Sequence, residues 1–299
     1  MPTVEVVNVF TSASGGGNPA PIVIDAGGLD EAAMTAIAKS YGHESGFVFS
    51  PDSGTDADFR FRFFVPRHEM SMCGHATIGA VWLLHRHGRI GAGPVAVQTL
   101  SGKVTAQLRA EADGTQFIEI SQPAGTVQEI PRPELREDII RAIGLEPADI
   151  LDLPFLNACT SRIKTLIPVR SPARLDAARP DSARIEQLCE QIDSTGLYLF
   201  SPDSSVPRKF DARQFPKSSG YPEDAATGIA AAALAFGLLH YGLVKLNGQP
   251  VLVHQGRAMG CPSDIHVRFD LAPGAAAPVG CFVGGRVVLA EGQHAQRHS

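Results

Sequence analysis

Two short stretches hold most of the residues whose types and spacing suit chemistry. Cys73-Gly74-His75 heads one apolar run, and Asp224, followed by Thr227-Gly228-Ile229, heads another. If both runs are helices, each opens with amide N–H groups that lack intrahelical acceptors and with the positive end of the helix dipole. Such a start holds a small carboxylate and stabilises an enolate-like intermediate. Gly74 and Gly228 have no Cβ to keep a ligand off the backbone, although a glycine also simply eases the turn into a buried helix.

The side chains around these starts each admit a functional and a structural reading. A thiol at a helix N-terminus ionises readily, so Cys73 suits a nucleophile or proton carrier; it equally suits a small buried hydrophobe. The matching residue in the other stretch is Thr227, so a two-thiol mechanism on these matched positions is excluded. His75 is either a hydrogen-bonded core residue or a site residue. Asp224 suits a helix cap, a role compatible with a site role where the helix start itself faces a ligand. Glu44, in Gly42-His43-Glu44-Ser45-Gly46-Phe47-Val48, stands at the mouth of an apolar strand, where partial burial suits an acid/base group.

These residues must be positioned by the elements around them. Val4 to Phe10 and Ala20 to Ile24 read as strands flanking a turn at Gly15-Gly16-Gly17-Asn18-Pro19, and a helix covers Asp30 to Lys39. Glu44–Ser50 and Phe59–Val65 read as strands. The runs Cys73–Leu84 and Ile229–Leu239 are helical in length and apolar on nearly every face, so each lies inside its domain. Strands are expected at Val95–Thr99, Val104–Leu108, Ser161–Val169, Leu197–Phe200, Lys209–Phe215, Val251–His254 and Asp264–Phe269. Helices are expected at Leu135–Ile143 and Ala183–Ile192. Glu69-x-x-x-Cys73-Gly74 overlays Glu223-x-x-x-Thr227-Gly228, each after a strand ending at a proline and each followed by strand, Gly-plus-basic turn and strand. The repetition predicts an internal duplication, with both helix starts facing a cleft between the halves. Gln122–Pro133 has the composition of a linker.

Composition narrows the function classes. The 299 residues carry 44% apolar and 19% charged side chains with a formal net charge of −5, a globular balance without a basic footprint for nucleic acid. Met1 to Val7 reads as a first strand rather than a signal peptide, and no run is long enough for a membrane span. Five cysteines without a CxxC pair fit a reducing compartment, so the cytoplasm is expected. No HExxH or Cys/His cluster predicts a metal site, and the glycine triplet has neither a dinucleotide nor a Walker pattern.

Gly17-Asn18-Pro19, Glu44 before Phe47-Val48, Cys73-Gly74-His75-Ala76-Thr77, Ala212-Arg213-x-Phe215 and Pro222-Glu223-Asp224-x-x-Thr227-Gly228 together resemble the landmarks of the PhzF-like (phenazine biosynthesis) family. The resemblance covers nearly the whole chain. It implies an α+β, diaminopimelate-epimerase-like fold of two pseudo-symmetric halves, each a curled mixed sheet around a central apolar helix. The halves would be residues 1–122, joined by a strand near 284–290, and residues 130–283, with the active site between them.

The resemblance further implies no cofactor, a small carboxylate substrate and a homodimer. The phenazine-pathway member isomerises trans-2,3-dihydro-3-hydroxyanthranilate by moving a proton between ring carbons. By motif, Glu44 would be the acid/base; His75 and Asp224 would position substrate and assist proton traffic. Asn18, Gly74 and Gly228 would line the anion site, with Cys73, Thr227 and Ile229 beside them. Ile229 departs from the family, which often has serine there. Two other readings stay open: an epimerase or racemase of a small acid, and a non-catalytic metabolite-binding protein.

Overall fold

The computed structural model describes residues 2–12, 16–110, 116–203, 205–218 and 221–290. The turn expected at Gly15-Gly16-Gly17 begins outside the described residues. The chain divides into two compact units, one running to Ser121 and resuming at Gly284, the other spanning Gln122–Val283.

The first unit begins with β1 (Glu5–Val9), β2 (Asn18–Val23), α1 (Glu31–Tyr41), β3 (Ser45–Phe49) and β4 (Phe59–Phe64). It continues with β5 (Glu69–Met70), α2 (Gly74–Arg86), β6 (Val95–Thr99), β7 (Gly102–Ala110) and β8 (Gln116–Pro123), the last crossing the unit boundary. The sheet is mixed. β1–β2, β3–β4 and β6–β7 are antiparallel, whereas β2–β3 and β4–β6 are parallel. α1 starts where Asp30 Oδ1 accepts from the Ala33 amide at 2.8 Å, and it stops at Gly42, whose φ of 70° turns the chain toward β3.

α2 is buried along its length from His75 to Leu84, apart from Trp82. A Cβ on Gly79 would come within 2.7 Å of Val7 Cγ2, so glycine lets this helix lie close against β1.

The second unit contains β9 (Thr126–Glu129), α3 (Arg136–Ala142), β10 (Leu156–Cys159), β11 (Ile163–Pro168), α4 (Pro172–Ala177) and α5 (Ser182–Gln191). There follow β12 (Gly196–Pro202), β13 (Lys209–Pro216), α6 (Gly228–His240), β14 (Val251–Gln255), β15 (Ser263–Asp270) and β16 (Gly280–Gly285). β17 (Val287–Leu289) belongs to the first unit, where it pairs antiparallel with β1.

The pairing order repeats the first unit. β10–β11, β12–β13 and β14–β15 are antiparallel, and β11–β12 and β13–β14 are parallel. α6 is buried from Ala230 through Leu238, and a Cβ on Gly237 would run into Leu166 Cδ1. α2 and α6 each have 13 residues, and both are preceded by a cap residue in extended conformation whose side chain makes no capping bond. The duplication expected from the motifs is therefore present in the topology of each unit.

The segment of linker composition is not a free linker. Residues 122–123 end β8, and Thr126–Glu129 pair antiparallel with β10. Prolines at 123, 131 and 133 flank this strand rather than interrupt it, which leaves its ladder amides intact.

Candidate active site

Glu44, Cys73 and His75 converge in the first unit. Glu44 lies on the short link between the end of α1 and β3, and the other two flank Gly74 at the start of α2, which packs across β3. The Cys73 thiol donates to Glu44 Oε2 at 3.1 Å. Cys73 Sγ also lies 3.4 Å from His75 Nδ1, which is 3.5 Å from Glu44 Oε2. Cys73 and His75 are buried, while the Glu44 side chain keeps 25% of its exposure, so the carboxylate is the member of this group that a ligand can reach. His75 Nε2 is buried and has no hydrogen-bond partner among the described residues.

The helix start beside them is held from within. The Thr77 hydroxyl and amide both donate to the Cys73 carbonyl, at 2.7 and 3.0 Å. The amides of the first turn have no intrahelical acceptor. Packing does not require glycine at position 74: a Cβ there would meet only Ile120 Cδ1 at 3.6 Å, an ordinary contact. Asn18 opens β2 opposite Val9 and takes no part in the bonds joining Glu44, Cys73 and His75.

The second unit builds a different group at the matching helix start. The Thr227 hydroxyl donates to Asp224 Oδ2 at 2.5 Å. Gln255 Nε2 donates to the Asp224 carbonyl at 2.7 Å and to Thr227 Oγ1 at 3.2 Å, while its Oε1 accepts from the buried Tyr198 hydroxyl at 2.9 Å. Residue 227, not Asp224, occupies the cap position of α6, and the Asp224 side chain takes the threonine hydroxyl there. Gly228 and Ile229 form the half-buried first turn. Lys164 is buried; desolvation lowers its pKa to about 8, against the opposing pull of Asp224.

The strand register fixes which residues correspond. Phe47 pairs with Arg62, and Leu199 pairs with Arg213, so the counterpart of Glu44 is Gly196. A Cβ on Gly196 would lie 2.5 Å from Gln214 Nε2 and 2.8 Å from the Phe215 carbonyl. The counterpart of His75 is Ile229. The acid and the imidazole of the first unit thus have no like residue at the matching positions of the second.

What repeats in both units is a scaffold clamp. Arg62 grips both oxygens of Glu69 (2.7 and 2.7 Å) and lies over Phe64; Arg213 grips both oxygens of Glu223 (2.8 and 2.7 Å) and lies over Phe215. These bidentate pairs fix the loops that deliver Cys73 and Asp224. Arg62-x-Phe64 and Arg213-x-Phe215 repeat one pattern, a signal the motif comparison missed.

Sequence spacing predicts no metal site; in the structure the donor atoms of Glu44, Cys73 and His75 all lie within 4.8 Å of one another. The third donor arrives through packing of α2 on β3, which no local motif encodes. Among the described residues, no helix is long and apolar enough to cross a membrane.

Comparison with known proteins places the chain in a family. The family model described as phenazine biosynthesis-like protein (PhzC-PhzF) matches residues 7–290. The Escherichia coli O157:H7 protein named Uncharacterized isomerase YddE is 33% identical over 270 residues, covering 89% of this chain and 89% of that protein. The crystal structure of the Bacillus anthracis phenazine biosynthesis protein, PhzF family, has a TM-score of 0.88 at 25% identity, covering 97% of each chain. A hydroxyproline epimerase from Agrobacterium vitis shares the fold at a TM-score of 0.63 and 14% identity, covering 96% of this chain and 90% of that one. The chain belongs to the phenazine biosynthesis-like (PhzF) family and has its diaminopimelate-epimerase-like α+β fold. It is an enzyme of the isomerase/epimerase type.

Proposed function

We propose that the enzyme moves a proton between carbons of a small unsaturated carboxylate without a cofactor, in the manner of trans-2,3-dihydro-3-hydroxyanthranilate isomerase. The observation that carries this reading is Glu44: a partly exposed carboxylate held by Cys73 and His75 beside the first turn of a buried helix. Glu44 takes the proton from one carbon and returns it to another. The amides at Gly74 hold the anionic end of the substrate and the charge that develops during transfer. His75 positions the substrate and assists proton traffic, and Asn18 and Cys73 line the binding site. The second unit offers the same kind of anion-holding helix start at Gly228, with Asp224, Thr227 and Ile229 around it.

Epimerisation by matched bases is the weaker reading. It normally needs a proton-handling group on each face of the stereocentre, and the counterparts of Glu44 and His75 are Gly196 and Ile229. Solvent-deuterium incorporation into candidate unsaturated acids, followed by NMR, tests the assignment. Glu44→Gln should slow exchange by about 10²–10⁴-fold, the usual worth of a positioned acid/base. Full exchange in Glu44→Gln together with its loss in Cys73→Ala would overturn the role given to Glu44. Binding without exchange in the wild type would instead show a metabolite-binding protein.

A further inference from the structure

We propose that Glu44, Cys73 and His75 form a three-ligand site for a thiolate-seeking divalent cation such as Zn2+, and that the bound cation inhibits the enzyme by occupying its acid/base. Zn–S bonds of about 2.3 Å and Zn–N and Zn–O bonds of about 2.0–2.2 Å at tetrahedral angles place such donors about 3.4–3.6 Å apart. The structure holds Sγ, Nδ1 and Oε2 at 3.1, 3.4 and 3.5 Å from one another. Movements of a few tenths of an ångström therefore complete one face of a tetrahedron, and water or a substrate carboxylate takes the fourth position.

Charge favours the same occupant. One thiolate and one carboxylate balance a divalent cation, so the assembled site is neutral where Cys73 and His75 are buried. The cation displaces the thiol proton, which leaves to solvent, and the Cys73–Glu44 hydrogen bond gives way to two metal–ligand bonds. A ligating histidine usually donates its second ring N–H to an outer partner, and His75 Nε2 has none among the described residues. The cation is consequently a reversible ligand rather than a resident ion.

Only the inhibition rests on the proposed role of Glu44; the binding does not. The test is titration of the full chain, cleared of metal with EDTA and dialysed, with Co2+ as a spectroscopic probe and Zn2+ as competitor. A thiolate-to-cobalt charge-transfer band that Zn2+ abolishes is expected, with release of about one proton per ion. Cys73→Ser should remove the band and weaken Zn2+ binding by at least about tenfold, since even outer-shell partners of a metal are worth that much. Glu44→Gln, a change at the least buried ligand, should weaken binding too, whereas Cys261→Ser should leave the band intact.

Absence of a band in the wild type, or a band unchanged in Cys73→Ser or Glu44→Gln, overturns the site. Deuterium exchange by the metal-free wild type is the separate readout for catalysis. Exchange lost on adding Zn2+ supports inhibition, and exchange that persists at saturating Zn2+ overturns it. Lack of exchange by the metal-free enzyme, with the band present, counts against the catalytic reading alone.

Discussion

Replacing Arg213 with Gln should destabilise the chain more than the corresponding change at Arg62, although the two arginines occupy equivalent places. The difference lies in solvent access. The Arg213 and Glu223 side chains are 8% and 11% exposed, against 19% and 20% for Arg62 and Glu69. Arg213 Nη1 also donates to the carbonyls of Leu175 and Ala178 at 3.0 Å, whereas the extra partner of Arg62 is the exposed Glu31. Removing Arg213 strands a largely buried carboxylate, which costs about 3–5 kcal/mol. At Arg62, water replaces part of the lost pair, and the cost falls toward about 1–2 kcal/mol, the range of a hydrogen bond to a charged group. With a urea slope of about 3 kcal/mol per M, the unfolding midpoint should fall by roughly 1–1.7 M for Arg213→Gln and by about half that or less for Arg62→Gln. Circular dichroism against urea measures both. The double change Arg213→Met/Glu223→Met should recover much of the loss, because no buried charge is left alone. Equal costs at the two arginines, or a double variant as unstable as Arg213→Gln, would refute the argument.

The remaining predictions concern the polar interior and the glycines. Burial moves the Lys164 pKa from its ordinary 10.5 down to about 8 in the folded chain. Between those pH values the unfolded chain retains a proton that the folded chain has lost, so this lysine makes stability rise with pH there; below about 8 it imposes a constant penalty. Lys164→Met should therefore stabilise the protein at neutral pH, by up to about 3 kcal/mol, with a gain that fades by pH 10.5 in paired urea titrations. Gly74→Ala should leave the urea midpoint nearly unchanged, since only the Ile120 side chain lies near its Cβ. It should nonetheless raise KM for the carboxylate substrate or weaken a competing carboxylate measured by calorimetry. Gly196→Ala should do the reverse, lowering stability by about 1–3 kcal/mol through overpacking against Gln214 and Phe215. Unchanged stability in Gly196→Ala would show that Gln214 and Phe215 do not crowd this position.

The parts of the fold legible in sequence were those with strong local signatures. The all-apolar runs became α2 and α6, and the repeated Glu-x-x-x-(Cys/Thr)-Gly marked the duplicated helix starts. The start of α1 at Asp30 was legible too, whereas the helix runs past the expected Lys39 to Tyr41 and stops at the left-handed Gly42. Other elements had no such signature. β10 reads Leu-Asn-Ala-Cys, with little strand propensity, and its place is settled by tertiary partners: Asn157 donates to the Ile192 carbonyl at 2.7 Å and accepts from the Thr165 hydroxyl at 2.7 Å. α4 is a six-residue helix too short for a periodic signal. At the site, the local motifs supplied Cys73, His75 and Asp224, but not the partnership of Gln255 with Tyr198 and Thr227, which lie 57 and 28 residues away in sequence. The joining of Glu44 to Cys73 across 29 residues is likewise a product of packing.

The space above Gly196 has a consequence for how this protein can change. Gln214 has moved its amide to where a side chain on residue 196 would project, and neither amide atom has a hydrogen-bond partner among the described residues. A lone Gly196→Glu change would collide with that amide, and a lone loss of Gln214 would leave a void beside a bare backbone. Placing a carboxylate at this point of the second unit therefore takes at least two coordinated substitutions, with an unfavourable intermediate on either route. The difference between the two units is locked here: single substitutions cannot make them alike.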